Sequence, residues 1–125
     1  MMDKAKVSEL EKIANGIRRD IVTQVYSANS GHPGGSLSIA DVLTYLYFEK
    51  MNVKADDPKW EDRDRFVLSK GHASPAIYAT LAAKGFFPKE ELKTLRKNYS
   101  RLQGHPDMKG TPGVDMSTGS LGQGI

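Results

Sequence analysis

Residues 65–86 read RFVLSKGHASPAIYATLAAKGF, and the order of the signals in them predicts a strand, a tight turn and a helix. The run RFVLSK (65–70) is short, β-branched and aromatic, and ends at a glycine. Ser74 stands where a helix cap belongs, Pro75 takes the first helical position, and Gly85 supplies the stop. Between strand and helix lies Gly71-His72-Ala73. In open α/β sheets ligands bind at that junction, beyond the carboxyl end of a strand. The N–H groups and positive dipole end of the following helix suit phosphate. A strand followed by helices suggests an α/β fold, although periodicity alone supports only helices with at least one strand.

Working outward, Ser8 and Glu11 form an S-x-x-E capping box that predicts a helix running to about Tyr26. Leu10, Ile13, Ile17, Ile21 and Val25 give it one apolar face. SANSGHPGGSLS (27–38) is rich in glycine, proline and serine and reads as a loop. Ser38, with Asp41 three residues on, predicts a second helix to about Lys50, apolar on more than one side and so expected to be deeply buried. The polar stretch MNVKADDPKWEDRD (51–64) reads as irregular, with Trp60 as its anchor. Pro88 opens an expected fourth, charged helix to about Tyr99, and from Ser100 onward the chain reads as loop. The ending, STGSLGQGI (117–125), resembles the start of a helix more than its end, so the chain reads as the front part of something larger.

The placement of the histidines is the strongest functional signal. They fall in SGHPG (30–34), KGHAS (70–74) and QGHPD (103–107), each directly after a glycine. Glycine makes up 12 of 125 residues, so three such placements have a chance of roughly one in a thousand. A preceding glycine admits positive φ or the close approach of a ligand, and a following proline stiffens the turn. Taken singly, each loop histidine reads as readily as a local hydrogen-bonding residue. Their shared context points to a common site. Gly119, Gly122 and Gly124 form G-x-x-G-x-G, which is neither the dinucleotide fingerprint nor a Walker loop. On spacing alone it reads equally as a phosphate cradle or a flexible tail.

Composition narrows the class. With 38% hydrophobic and 26% charged residues the chain is ordinary globular material. Its length allows one domain, and its longest apolar run, about seven residues at Val42–Phe48, is far short of a membrane span. The net charge of +3 is spread among acids, as in KWEDRDR (59–65), without the basic, aromatic-interleaved patches of a nucleic-acid surface. Without cysteine there is no disulfide and no thiolate metal site. No nucleic acid, no membrane and a cytoplasmic location are the expectations.

SGHPGGSLS, RFVLSKGHASPAIYATLAAKGF, QGHPD and STGSLGQGI, in that order, resemble the transketolase family of thiamin-diphosphate enzymes. The resemblance runs from about Leu10 to the end of the chain and is greatest to the amino-terminal subunit of the split, two-chain transketolases. Ser120 and Asp107, where single-chain members tend to carry proline and glutamate, favour that type. The fold it implies is α/β, a doubly wound parallel sheet with flanking helices. Residues 1–125 would be the N-terminal part of the diphosphate-binding domain, ending before the metal motif. The activity it implies is transfer of a two-carbon ketol unit from a ketose phosphate to an aldose phosphate, in the pentose phosphate pathway.

Roles carry over position by position. The resemblance implies that His72 contacts the cofactor diphosphate and the bound intermediate. It implies that His32 and His105 lie against the sugar's hydroxyl and carbonyl oxygens as catalytic groups. Gly119, Ser120 and Leu121 would line the cofactor, with a helix beginning near Gly122. The Mg²⁺ ligands of the family, a Gly-Asp-Gly segment and a later asparagine, have no counterpart in this sequence, so no metal ligand is expected in it. The glutamate that activates the cofactor belongs to the pyrimidine-binding domain, expected on a C-terminal partner subunit in an oligomer. The chain by itself is therefore expected to be inactive. Two other readings stay open: one zinc held by the three histidines, and a non-catalytic chain whose apolar second helix serves a partner.

Overall fold

The computed structural model describes residues 2–120 and Gly122. Helix α1 spans Lys4–Ala28, capped by Asp3, whose carboxylate accepts from the Lys6 amide at 2.8 Å. The helix thus starts earlier than the Ser8–Glu11 box predicted. Asp3 already supplies the capping oxygen, and the intervening residues have no helix breaker among them. Asn29 closes it in the left-handed region at φ 50° and donates its N–H to Tyr26. Leu10, Ile17 and Ile21 are buried as expected, joined by Ala14 and Gln24. Buried Gln24 donates to the Pro75 carbonyl at 2.9 Å, stitching α1 to the first turn of the central helix.

The segment read as loop contains a short helix, α2, Pro33–Leu37. Pro33 sits in its first turn, where a missing N–H costs nothing. The Ser38–Asp41 cap does not form. Helix α3 spans Ala40–Tyr45 with Ile39 at the cap position, and the Ser38 hydroxyl instead donates to the Gly35 carbonyl at 3.0 Å. A π-helical turn, Leu46–Lys50, continues α3 to the predicted end. Burial is one-sided: Leu43 and Tyr47 are enclosed, whereas Val42 is 53% and Tyr45 42% exposed, which corrects the expectation of deep burial.

Helix α4, Ser74–Lys84, is the centre of the molecule, and every residue from Ser74 to Ala82 is buried. A helix apolar all round is stable only when enclosed on all sides. Here α1 and α3 cover it. Gly85, at φ 98°, ends it as predicted. Ser74 does not cap the helix; its hydroxyl donates to the Gly104 carbonyl at 2.8 Å, and Tyr78 Oη donates to Gln103 O at 2.6 Å. The helix predicted over 88–99 is shorter, a 3₁₀ segment Lys89–Thr94, after which Leu95 turns extended to seat its buried side chain.

The predicted strand 65–70 is not one. Among the described residues no strand occurs, so the doubly wound parallel sheet has no member in them, and the architecture is helices and irregular loops. A strand exists only with a ladder partner. Here the Phe66 amide donates to the Asp115 carboxylate at 2.8 Å, and Arg63 pairs with the same carboxylate at 2.9 Å. Trp60 anchors its loop through the Lys54 ammonium 4.2 Å above the ring.

Burial pushes the hydroxyls of Tyr47 and Tyr78 well above the ordinary tyrosine value, and the nearby charge of Asp115 adds to it at Tyr47. The folded state therefore holds these protons more tightly than the unfolded chain does. Their contribution is complete below the unfolded value near 10 and is lost as pH rises above it. Stability should fall by about 1.4 kcal/mol per pH unit for each tyrosine above that point. Urea midpoints between pH 8 and 11 check this; Tyr47→Phe and Tyr78→Phe should each flatten the slope.

Candidate active site

The three histidine turns and the segment before Leu121 lie together because glycines let their backbones touch. A methyl group on Gly35 would sit 3.6 Å from His72 Nε2, so the α2 turn rests against the His72 imidazole. A methyl on Gly71 would come 2.6 Å from the Gly119 nitrogen, and one on Gly119 would come 2.6 Å from His105 Cγ. Gly119 holds φ at 142°, which favours glycine. His72 and His105 are thereby linked through the Gly71–Gly119 contact. Thr118 N–H donates to the Pro106 carbonyl at 3.3 Å, fastening the same two segments.

His32 caps α2 with an extended backbone, φ −119°, after Gly31 at φ 107°. It joins the cluster through its neighbours Ser30 and Gly35 and touches no other imidazole through a hydrogen bond. All three histidines are exposed. Ser120 is exposed beside Gly119. Leu121, expected to line the cofactor, lies outside the described residues, as does nearly all of the helix expected from Gly122.

Three features of the site carried no signal in the sequence. Lys70, the residue before the Gly-His pair, donates its ammonium to the Gly35 carbonyl at 2.7 Å and to Ser38 Oγ at 3.0 Å. It holds α2 over the His72 turn. The hydroxyls of Ser36 and Thr118 are buried with no hydrogen-bond partner among the described residues, and buried hydroxyls rarely stay so unless a ligand or water meets them. Arg96 reaches both the His32 and the His105 loops.

The donor set fits an anionic group. The imidazoles of His32, His72 and His105 are exposed on glycine-held turns beside the start of α4, and the buried hydroxyls of Ser36 and Thr118 have no partner among the described residues. The diphosphate of thiamin diphosphate matches these donors. No group of three or more histidine, aspartate or glutamate side chains able to hold a metal occurs among the described residues. The reading of one zinc on the three histidines therefore finds no support.

Glycine-held histidine loops beside a helix start are an arrangement that suits a phosphate group. Residues 10–125 match the family model described as transketolase, thiamine diphosphate binding domain; the chain belongs to the transketolase family. It is 51% identical over 117 residues to a 6-deoxy-6-sulfo-D-fructose transketolase subunit of Clostridium sp. (strain MSTE9), covering 94% of this chain and 42% of that one. It is 48% identical over 120 residues to an apulose-4-phosphate transketolase subunit of Phocaeicola vulgatus, covering 96% and 42%. Among solved structures, the transketolase from Leishmania mexicana superposes with a TM-score of 0.87 at 43% identity, covering 92% of this chain and 17% of that one. The chain thus spans about two fifths of the split subunits it resembles. No helix among the described residues is long and apolar enough to cross a membrane.

Proposed function

We propose that this chain is the substrate-facing front of a split transketolase, acting with a C-terminal, pyrimidine-binding subunit in a cytoplasmic oligomer. The observation that carries this reading is the junction of His72 with Gly35 and of His105 with Gly119 across the Gly71–Gly119 contact. Residues 1–125 are assigned to the N-terminal part of the diphosphate-binding domain. The doubly wound sheet and the Mg²⁺ ligands lie outside the described residues in this reading. The substrates are a ketose phosphate and an aldose phosphate. The names of both split-type relatives specify anionic sugars, in keeping with a basic site.

When bound, thiamin diphosphate supplies the nucleophilic carbon and the electron sink for carbon–carbon cleavage. The tasks left to this chain are binding, orientation and proton handling. His72, with the N–H groups of Gly71 and His72, faces the diphosphate, and Gly119 and Ser120 line the cofactor. His32 and His105 donate hydrogen bonds to the sugar oxygens and move the hydroxyl proton as the ketol bond breaks and re-forms. Lys70 keeps α2 in place above His72.

The purified 125-residue chain alone should show no ketol transfer. Activity without a partner would overturn the division of labour. Gly119→Ala should lower kcat in the assembly by about 10²-fold, because the new methyl forces His105 out of line. Isothermal titration should show weaker cofactor binding in that variant, and thermal melting should show little change outside the loop.

A further inference from the structure

We propose that Arg96 is a positioning residue that ties the His32 loop to the His105 loop and holds the two imidazoles at one spacing. This rests on the reading of His32 and His105 as substrate-facing groups. Arg96 adopts φ 66°, a left-handed conformation that non-glycine residues rarely take. Its N–H donates to the Leu102 carbonyl at 2.8 Å, which fixes that turn. The side chain then spans the two loops. Nη1 donates to Ser30 Oγ at 3.2 Å, two residues before His32.

On the other side a methyl at Gly104 would lie 3.2 Å from Cζ and 3.3 Å from both Nε and Nη2. Those nearly equal distances place the guanidinium face flat against the backbone just before His105. No carboxylate pairs with Arg96 among the described residues, so the guanidinium is not drawn away from the two loops. A planar fork can lie on one backbone while bonding to another; a lysine ammonium cannot. The glycine before His105 thus has a role beyond its own turn. It leaves room for the arginine plane.

Hydrogen exchange read by mass spectrometry on the assembled two-chain protein tests the tie. In Arg96→Ala, exchange should rise about tenfold in 29–35 and 103–106 together, with 74–84 unchanged. Ser30→Ala, a mild surface change, should loosen 29–35 alone. Unchanged exchange in both loops, or a rise spread through α4, would overturn the proposal. In kinetics Arg96→Ala and Arg96→Lys should lower kcat alike with KM nearly constant. A raised KM that lysine restores would make Arg96 a substrate-gripping residue and overturn the positioning role. If the wild-type assembly transfers no ketol unit, the transketolase reading fails, while the exchange data still decide the role of Arg96.

Discussion

Alanine at His32 or at His105 is expected to lower kcat of the assembled enzyme by roughly 10²–10⁴-fold, the range for loss of a positioned acid–base group. Both side chains are exposed on glycine-flanked turns, so the loss should appear in rate and not in fold. Steady-state kinetics with matched thermal melts distinguishes the two. A drop in kcat with an unchanged melting temperature is the expected outcome. An unchanged rate would return both residues to a local structural role. The double variant should cost less than the product of the single losses, because groups that serve one proton-transfer step do not act independently.

The second large effect is on stability. Asp115→Ala is expected to destabilise the protein by about 3–5 kcal/mol, the usual cost of removing one partner of a buried ion pair. Its side chain is 7% exposed and that of Arg63 11%, so the arginine left behind has little water to turn to. The same carboxylate accepts from the Phe66 amide, and that half-buried donor would also lose its partner. Asp115→Asn keeps an oxygen for the amide and should cost less than alanine. Trp60 is the only tryptophan in the chain, and its carbonyl accepts from Arg63 Nη1 at 2.9 Å. Its fluorescence in a urea titration therefore reports on this pair directly, as a shift of midpoint at constant slope.

Much of the site could be read from the residues because its signals are local. A glycine before each histidine and a proline or a helix start after it declare three held imidazoles without any knowledge of distant contacts. The same holds for the Gly85 stop, and for the apolar row of α1 from Leu10 to Ile21. Helix limits are less legible where two local signals compete. Asp3 comes before Ser8 and takes the cap, and the Ser38 hydroxyl bonds to Gly35 and Lys70 instead of opening α3. The strand at 65–70 fails for a different reason. Its side chains have strand character, but pairing is a property of two segments, and the Phe66 amide bonds to a carboxylate 49 positions away.

The sequence by itself therefore determined the family, the three histidine turns and the helix that follows the middle one, since each depends on the conformations open to a few adjacent residues. Only the tertiary structure decided what stands around them: Asp115 in place of a strand partner, Lys70 across α2, and Arg96 between two loops. Those arrangements join residues dozens of positions apart, through single hydrogen bonds that leave no periodicity and no composition bias. No window of adjacent residues therefore reports them.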